Sequence, residues 1–110
     1  MLGMTDCLFC KIASHAIPVQ AVFEDDLCLV FPDIHPQAPT HLLVIPKQHF
    51  SNVTGASASL LGHLLKVAAD VCQRELPDGF RIAINTGGQG GQTVDHLHLL
   101  GGRAMHWPPG

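Results

Sequence analysis

One stretch restricts the architecture more than any other, the helical pattern at 57–75. Leu60, Leu61, Leu64, Leu65, Ala68, Val71 and Cys72 recur there at spacings of three and four and form a broad apolar stripe. Pro77-Asp78-Gly79 ends it. No other helical pattern of that length exists in the chain, so the stripe must lie on a sheet. The rest of the sequence supplies one. Segments 21–24 and 27–31 read as a β-hairpin turning at Asp25-Asp26. Pro32, Pro36 and Pro39 make the next segment an extended loop, and 41–45 is an apolar strand stopped by Pro46. Segment 80–85 alternates Phe80, Ile82 and Ile84 with Arg81, Ala83 and Asn85.

A short helix is expected at the start, capped by Thr5 or Asp6, running to about Ser14, with Leu8, Phe9 and Ile12 on its apolar side. The order helix, hairpin, strand, helix, strand, strand implies an α+β domain: an antiparallel sheet of about five strands, one long helix and one short one. All 110 residues are expected in a single domain, with 104–110 as an irregular tail. A net charge of −3 and a pI near 6.2 provide no basic field, which argues against nucleic acid as a partner. No apolar run reaches membrane-spanning length and no secretory leader pattern is present, so a cytoplasmic protein without a membrane partner is expected. Eight histidines against six Lys plus Arg direct attention to imidazole chemistry.

That chemistry has an obvious place. Gly87-Gly88-Gln89-Gly90-Gly91-Gln92 runs into Thr93-Val94-Asp95-His96-Leu97-His98-Leu99-Leu100. In an alternating strand over 94–100, Val94, His96, His98 and Leu100 share a face. Two imidazoles then stand beside a glycine loop whose backbone N–H groups can approach an anion closely. The pairing suggests a site that handles phosphate. The residues alone leave a second reading open, a hairpin loop and a strand with two half-exposed histidines.

The chain resembles the histidine triad (HIT) proteins, and most closely their Hint branch of purine nucleoside phosphoramidases. The resemblance covers almost the whole chain. It rests on Phe-Glu-Asp-Asp at 23–26, Phe31-Pro32-Asp33-Ile34, Pro36-Gln37-Ala38-Pro39-Thr40-His41, Val44-Ile45-Pro46-Lys47 with His49, Leu61-Gly62-His63-Leu64, Gly90-Gly91-Gln92, Leu100-Gly101-Gly102-Arg103, and His106-Trp107-Pro108-Pro109-Gly110.

One departure stands out. The family motif carries three alternating histidines, of which the middle one is the nucleophile; here the run is His96-Leu97-His98-Leu99-Leu100, shorter by two residues. Anchored on the glycine loop, His98 is the nucleophile; anchored on Leu99-Leu100-Gly101-Gly102-Arg103, it is His96. Losing two residues preserves the strand faces but shortens the strand by roughly 7 Å. His98 is favoured, because the phosphate loop lies immediately before it. The resemblance implies hydrolysis of adenosine 5′-phosphoramidates and related AMP conjugates through a nucleotidyl-histidine. Backbone N–H groups of Gly91, Gln92 and Thr93, with the Thr93 hydroxyl, would stabilise the phosphoryl oxygens. His96 and His41 would orient or protonate groups around the nucleophile. The alternative is a nucleotide-binding, catalytically impaired or regulatory protein that has lost turnover with its third histidine.

Positions matching the family's nucleoside site are Phe9, Ile17, Phe31, Asp33 and Ile34, with Asn85 at the phosphate and ribose side. Apolar side chains can sandwich a purine and a carboxylate can accept from ribose hydroxyls, but without the family the four apolar residues read as core. No cofactor is expected for catalysis, and no carboxylate cluster suits magnesium. Cys7-x-x-Cys10 has three readings: a thiol pair at a helix start, a redox pair, or half of a structural zinc site completed by His49 and His96. Cys28 and Cys72, in apolar stretches, read as core thiols. Family members are symmetric dimers, which implies a C2 homodimer here with Trp107 near the partner's nucleotide pocket.

Overall fold

A computed structural model describes residues 7–33, 36, 40–87 and 99–103. The elements are α1 (Leu8–Ala13), β1 (Phe23–Glu24), β2 (Cys28–Pro32), β3 (Thr40–Pro46), a 3-10 turn (Val53–Gly55), α2 (Ala58–Glu75), β4 (Arg81–Ile84) and β5 (Leu99–Arg103). The strands form one antiparallel sheet in the order β1-β2-β3-β5-β4. The α+β architecture expected from the pattern is therefore present, with five strands among the described residues.

Local chemistry sets the boundaries. Ser57 caps α2, its hydroxyl accepting from the Leu60 N–H at 3.2 Å. Gly79 takes a φ of +134 in the turn that follows α2, which suits a residue without Cβ. Asp25 makes the β1–β2 turn: one carboxylate oxygen accepts from both the Leu27 and Cys28 N–H groups at 2.8 Å. Cys7, rather than Thr5 or Asp6, is the N-cap of α1, its sulfur accepting from the Cys10 N–H at 3.4 Å; residues 1–6 lie outside the described residues.

The sheet buries both faces. On one, Cys28, Val30, Leu42 and Val44 pack against Leu64, Val67, Ala68 and Val71 of α2. On the other, Leu29, Phe31, Leu43 and Ile45 pack against Phe9, Ile12 and Ala13 of α1. Strands β2 and β3 are central and covered on both sides, so they read as continuous apolar runs rather than alternations.

Several expectations shift. Val67 belongs to the buried face of α2, whereas Leu65 is half exposed. Pro32 ends β2 instead of opening the loop; it lies beyond the last β1 partner, Val30, so its missing N–H removes no bond on that side. Gly101 and Gly102 continue β5 past Leu100, because the strand is paired on both sides and the two ladders outweigh the weak strand preference of glycine. Segment 94–98 of the expected histidine strand lies outside the described residues. Phe80 and Ile84 alternate correctly with Ile82, yet both stay exposed. Ile84 ends β4 and Phe80 precedes it, and the outer edge of that strand has no strand beside it among the described residues. No described helix is long and apolar enough to cross a membrane.

Candidate functional site

The α1 face of the sheet gathers the expected site residues that are described. Phe9 and Phe31 meet edge to face, ring centroids 6.4 Å apart and 67° between planes. Both are buried among Ile12, Leu29, Leu43 and Ile45, and Ile17 packs against the same cluster, part-buried. The aromatic pair is thus anchored in core, with little of either ring at the surface. Asn85 follows β4, half-buried. Ile34, Gly91, Gln92, Thr93, His96, His98 and Trp107 lie outside the described residues.

Asp33 and His41 come together because β2 and β3 are antiparallel neighbours in register. Pro32 pairs with Leu42, and one step further the Asp33 N–H donates to the His41 carbonyl at 2.9 Å. The Asp33 carboxylate then lies 3.6 Å from His41 Nε2, close enough for its charge to be felt and too far for a hydrogen bond. The His41 side chain is 2% exposed, that of Asp33 23%. On its other side β3 pairs with β5, Gly102 standing opposite His41 and Leu99 opposite Val44. Leu99, which follows His98 in the chain, therefore stands in a strand hydrogen-bonded to the strand of His41.

Burial lowers the pKa of His41 and the Asp33 charge raises it; burial prevails, and the imidazole is held below its ordinary value. The unfolded chain then takes up a proton before the folded one does. Stability should fall as pH drops below the usual imidazole value of about 6.5, with no contribution from His41 above it. Glu24 and Asp25 have lowered pKa values in the fold, Glu24 mainly through Lys47 and Asp25 through its backbone and His63 hydrogen bonds, which outweigh burial. Their losses enter only at more acid pH, below about 4.3. The urea midpoint should accordingly decline between pH 6.5 and 5, and His41→Gln should flatten that decline. An unchanged slope in the variant would show that another group titrates there.

The second grouping is Cys7, Cys10 and His49. The Cys10 sulfur is 3.0 Å from His49 Nδ1, and the three donor atoms all lie within 4.8 Å of one another. Burial, then the hydrogen bond and charge of Cys7, push the Cys10 thiol up to about 11. A thiol held that high is protonated at neutral pH. The donor set fits zinc: two sulfurs and one imidazole are three of the four ligands of a tetrahedral structural site. His96, the expected fourth, lies outside the described residues.

Two further groupings escaped the sequence reading. His15 and Lys47 both contact the Glu24 carboxylate, at 2.8 and 2.7 Å, on the exposed edge of the sheet. Asp25, Cys28 and His63 converge on the α2 face. Asp25 and His63 are 38 positions apart, and no local pattern joins them. The resemblance had singled out both segments, but not their meeting.

Comparison with known proteins bears on the whole chain. A family model described as the HIT domain matches residues 14–105. An uncharacterized HIT-like protein of Synechococcus elongatus is 56% identical over 111 residues, covering 96% of this chain and 97% of that one. A crystal structure of a HIT family hydrolase from Legionella pneumophila superposes with a TM-score of 0.87 at 46% identity, covering 96% of this chain and all of the other. A histidine triad nucleotide-binding protein from Candida albicans gives 0.82 at 28% identity, over 96% of this chain and 85% of its own.

Proposed function

The chain belongs to the HIT family, and on that premise we propose that it is a purine nucleoside phosphoramidase, cleaving adenosine 5′-phosphoramidates and related AMP conjugates. The observation that carries the reading is the Asp33–His41 pair on the α1 face, on a strand hydrogen-bonded to the one that holds Leu99, the residue after His98. A hydrolase and a nucleotide-binding protein among the similar structures support the same direction.

The chemistry follows from the residues. A ring nitrogen of His98 attacks the phosphorus, the bond to the leaving amine breaks, and the amine departs with the proton that the imidazole gives up. Water then adds to the nucleotidyl-histidine, the phosphorus–imidazole bond breaks, and AMP and the free histidine are released with the proton accounted for by the departing imidazole. Asp33 accepts from the ribose hydroxyls. His41, held neutral by burial at neutral pH, can pass a hydrogen bond but adds no positive charge beside the nucleophile. The backbone N–H groups of Gly91 to Thr93 take the charge that develops on the phosphoryl oxygens.

Trapping tests this. Incubation with an adenosine phosphoramidate, quenched and examined by mass spectrometry, should show AMP covalently held on a histidine. Binding of AMP without an adduct and without turnover would favour the other reading, a nucleotide-binding protein that lost catalysis with its third triad histidine.

Structural zinc on Cys7, Cys10, His49 and His96 is part of the proposal. The ion would tie the start of α1 to the segment after β3 and leave catalysis to His98 and His41. A C2 homodimer is also proposed. Ile84 of β4, Phe80 just before it and Leu65 on α2 are exposed apolar surface that a second copy would cover, joining the two sheets through β4, with Trp107 reaching the partner's pocket. Sedimentation at micromolar concentration should show a dimer; a single 11.8 kDa species would remove it.

A further inference from the structure

We propose that Asp25, Cys28 and His63 form a second metal site, for a thiophilic divalent cation of the zinc type, on the α2 face of the sheet. It lies across the sheet from Cys7, Cys10 and His49: Cys28 packs with the α2 core, whereas Cys7 packs with the α1 core. The inference does not depend on the proposed activity.

The three donors, a carboxylate, a thiol and an imidazole, lie within 4.8 Å of one another. That set is the borderline-soft mixture that zinc takes. The fold holds each donor from a different direction. Asp25 is fixed by the turn, where one carboxylate oxygen accepts from two backbone N–H groups and leaves Oδ2 facing His63 at 2.7 Å. Cys28 opens β2 and is fully buried behind them. His63 comes from the second turn of α2. A carboxylate held by outer partners, as Asp25 is, binds metal with little reordering.

The geometry asks for a small adjustment. Oxygen and nitrogen ligands of a tetrahedral zinc ion lie roughly 3.3 Å apart, so the Asp25–His63 contact must open by about half an ångström. The side chains of His63 and Asp25 are 34% and 28% exposed, which gives an ion a way in and leaves the fourth position to water. Asp25 and the Cys28 thiolate together balance the two positive charges. Neighbouring charges divide: Asp26 adds to the negative field of the hairpin and Lys47 opposes it.

Cys28, fully buried, carries a thiol proton that a metal must displace. A coordinated thiol loses it. On binding, Cys28 gives one proton to solvent, and the His63 Nε2 must turn its lone pair to the ion in place of its contact with Asp25. Affinity should therefore rise with pH.

Cadmium provides the probe, because thiolate coordination is visible in the ultraviolet. In the full chain carrying Cys7→Ser and Cys10→Ser, one equivalent of cadmium should bind with a thiolate band, more tightly at pH 8 than at pH 6. Adding His63→Gln or Cys28→Ala should remove that equivalent and the band. His63 is partly exposed, so His63→Gln keeps the test usable if Cys28→Ala does not fold. If the serine variant does not fold, the native chain should take two equivalents and the His63→Gln chain one. A folded serine variant with no thiolate band, or a band that survives His63→Gln, overturns the site and leaves Asp25–His63 as a hydrogen bond between hairpin and helix.

Discussion

His98→Ala is expected to abolish hydrolysis of an adenosine phosphoramidate, a loss on the order of 10³-fold or more, while AMP still binds. The loss is large because the nucleophile supplies the covalent path itself. Binding should persist because Asp33, Phe9, Phe31 and Ile17 lie in or against β2 and α1, and the substitution leaves those elements intact. His96→Ala should leave partial activity, and mass spectrometry should still find AMP on histidine. The reverse pattern, a dead His96→Ala and an active His98→Ala, assigns the nucleophile to His96 and makes the ending Leu99-Leu100-Gly101-Gly102-Arg103 the correct anchor. If His96 also holds zinc with Cys7, Cys10 and His49, the same His96→Ala protein loses that metal, and metal analysis of the purified variant reads this separately from activity.

Parts of this molecule were open to sequence reasoning because their causes are local. The stripe from Leu60 to Cys72 implied a helix lying on a sheet, and Asp25-Asp26 marked the turn that Asp25 makes. The errors fall where the cause is not local. Alternation assigns Phe80, Ile82 and Ile84 to one face, but only the sheet order reveals that β4 has no outer neighbour among the described residues, where Phe80 and Ile84 stay exposed. Helical spacing placed Leu65 inside a broad stripe, yet the sheet buries only the arc that carries Leu64, Val67, Ala68, Val71 and Cys72. At the site, family resemblance selected both Asp33 and His41, but their 3.6 Å approach comes from the β2–β3 register, which no short motif encodes. Cys10 and His49, 39 positions apart, were brought together only by the need of a zinc site for four ligands and by the family resemblance. Asp25 with His63 had no such guide.

The difference between Leu64 and Leu65 can be measured. Leu64→Ala should destabilise the domain by about 2–5 kcal/mol, because Leu64 is 1% exposed and packs with Cys28, Val30, Leu42 and Val44 of the sheet. Its loss leaves a cavity between α2 and two central strands, and strands paired on both sides have little freedom to close it. Leu65→Ala, one position on and 50% exposed, should change stability by no more than about 0.5 kcal/mol in a monomer. Urea unfolding reads both, with a lower midpoint and an unchanged slope for Leu64→Ala. Similar costs at the two positions would mean that the exposed flank of α2 is covered in solution. If a second copy is the cover, the Leu65→Ala cost must grow with protein concentration, since association stabilises by mass action. A cost at Leu65 that is the same from low to high micromolar protein would instead place the cover within one chain, and would count against α2 as part of the dimer contact.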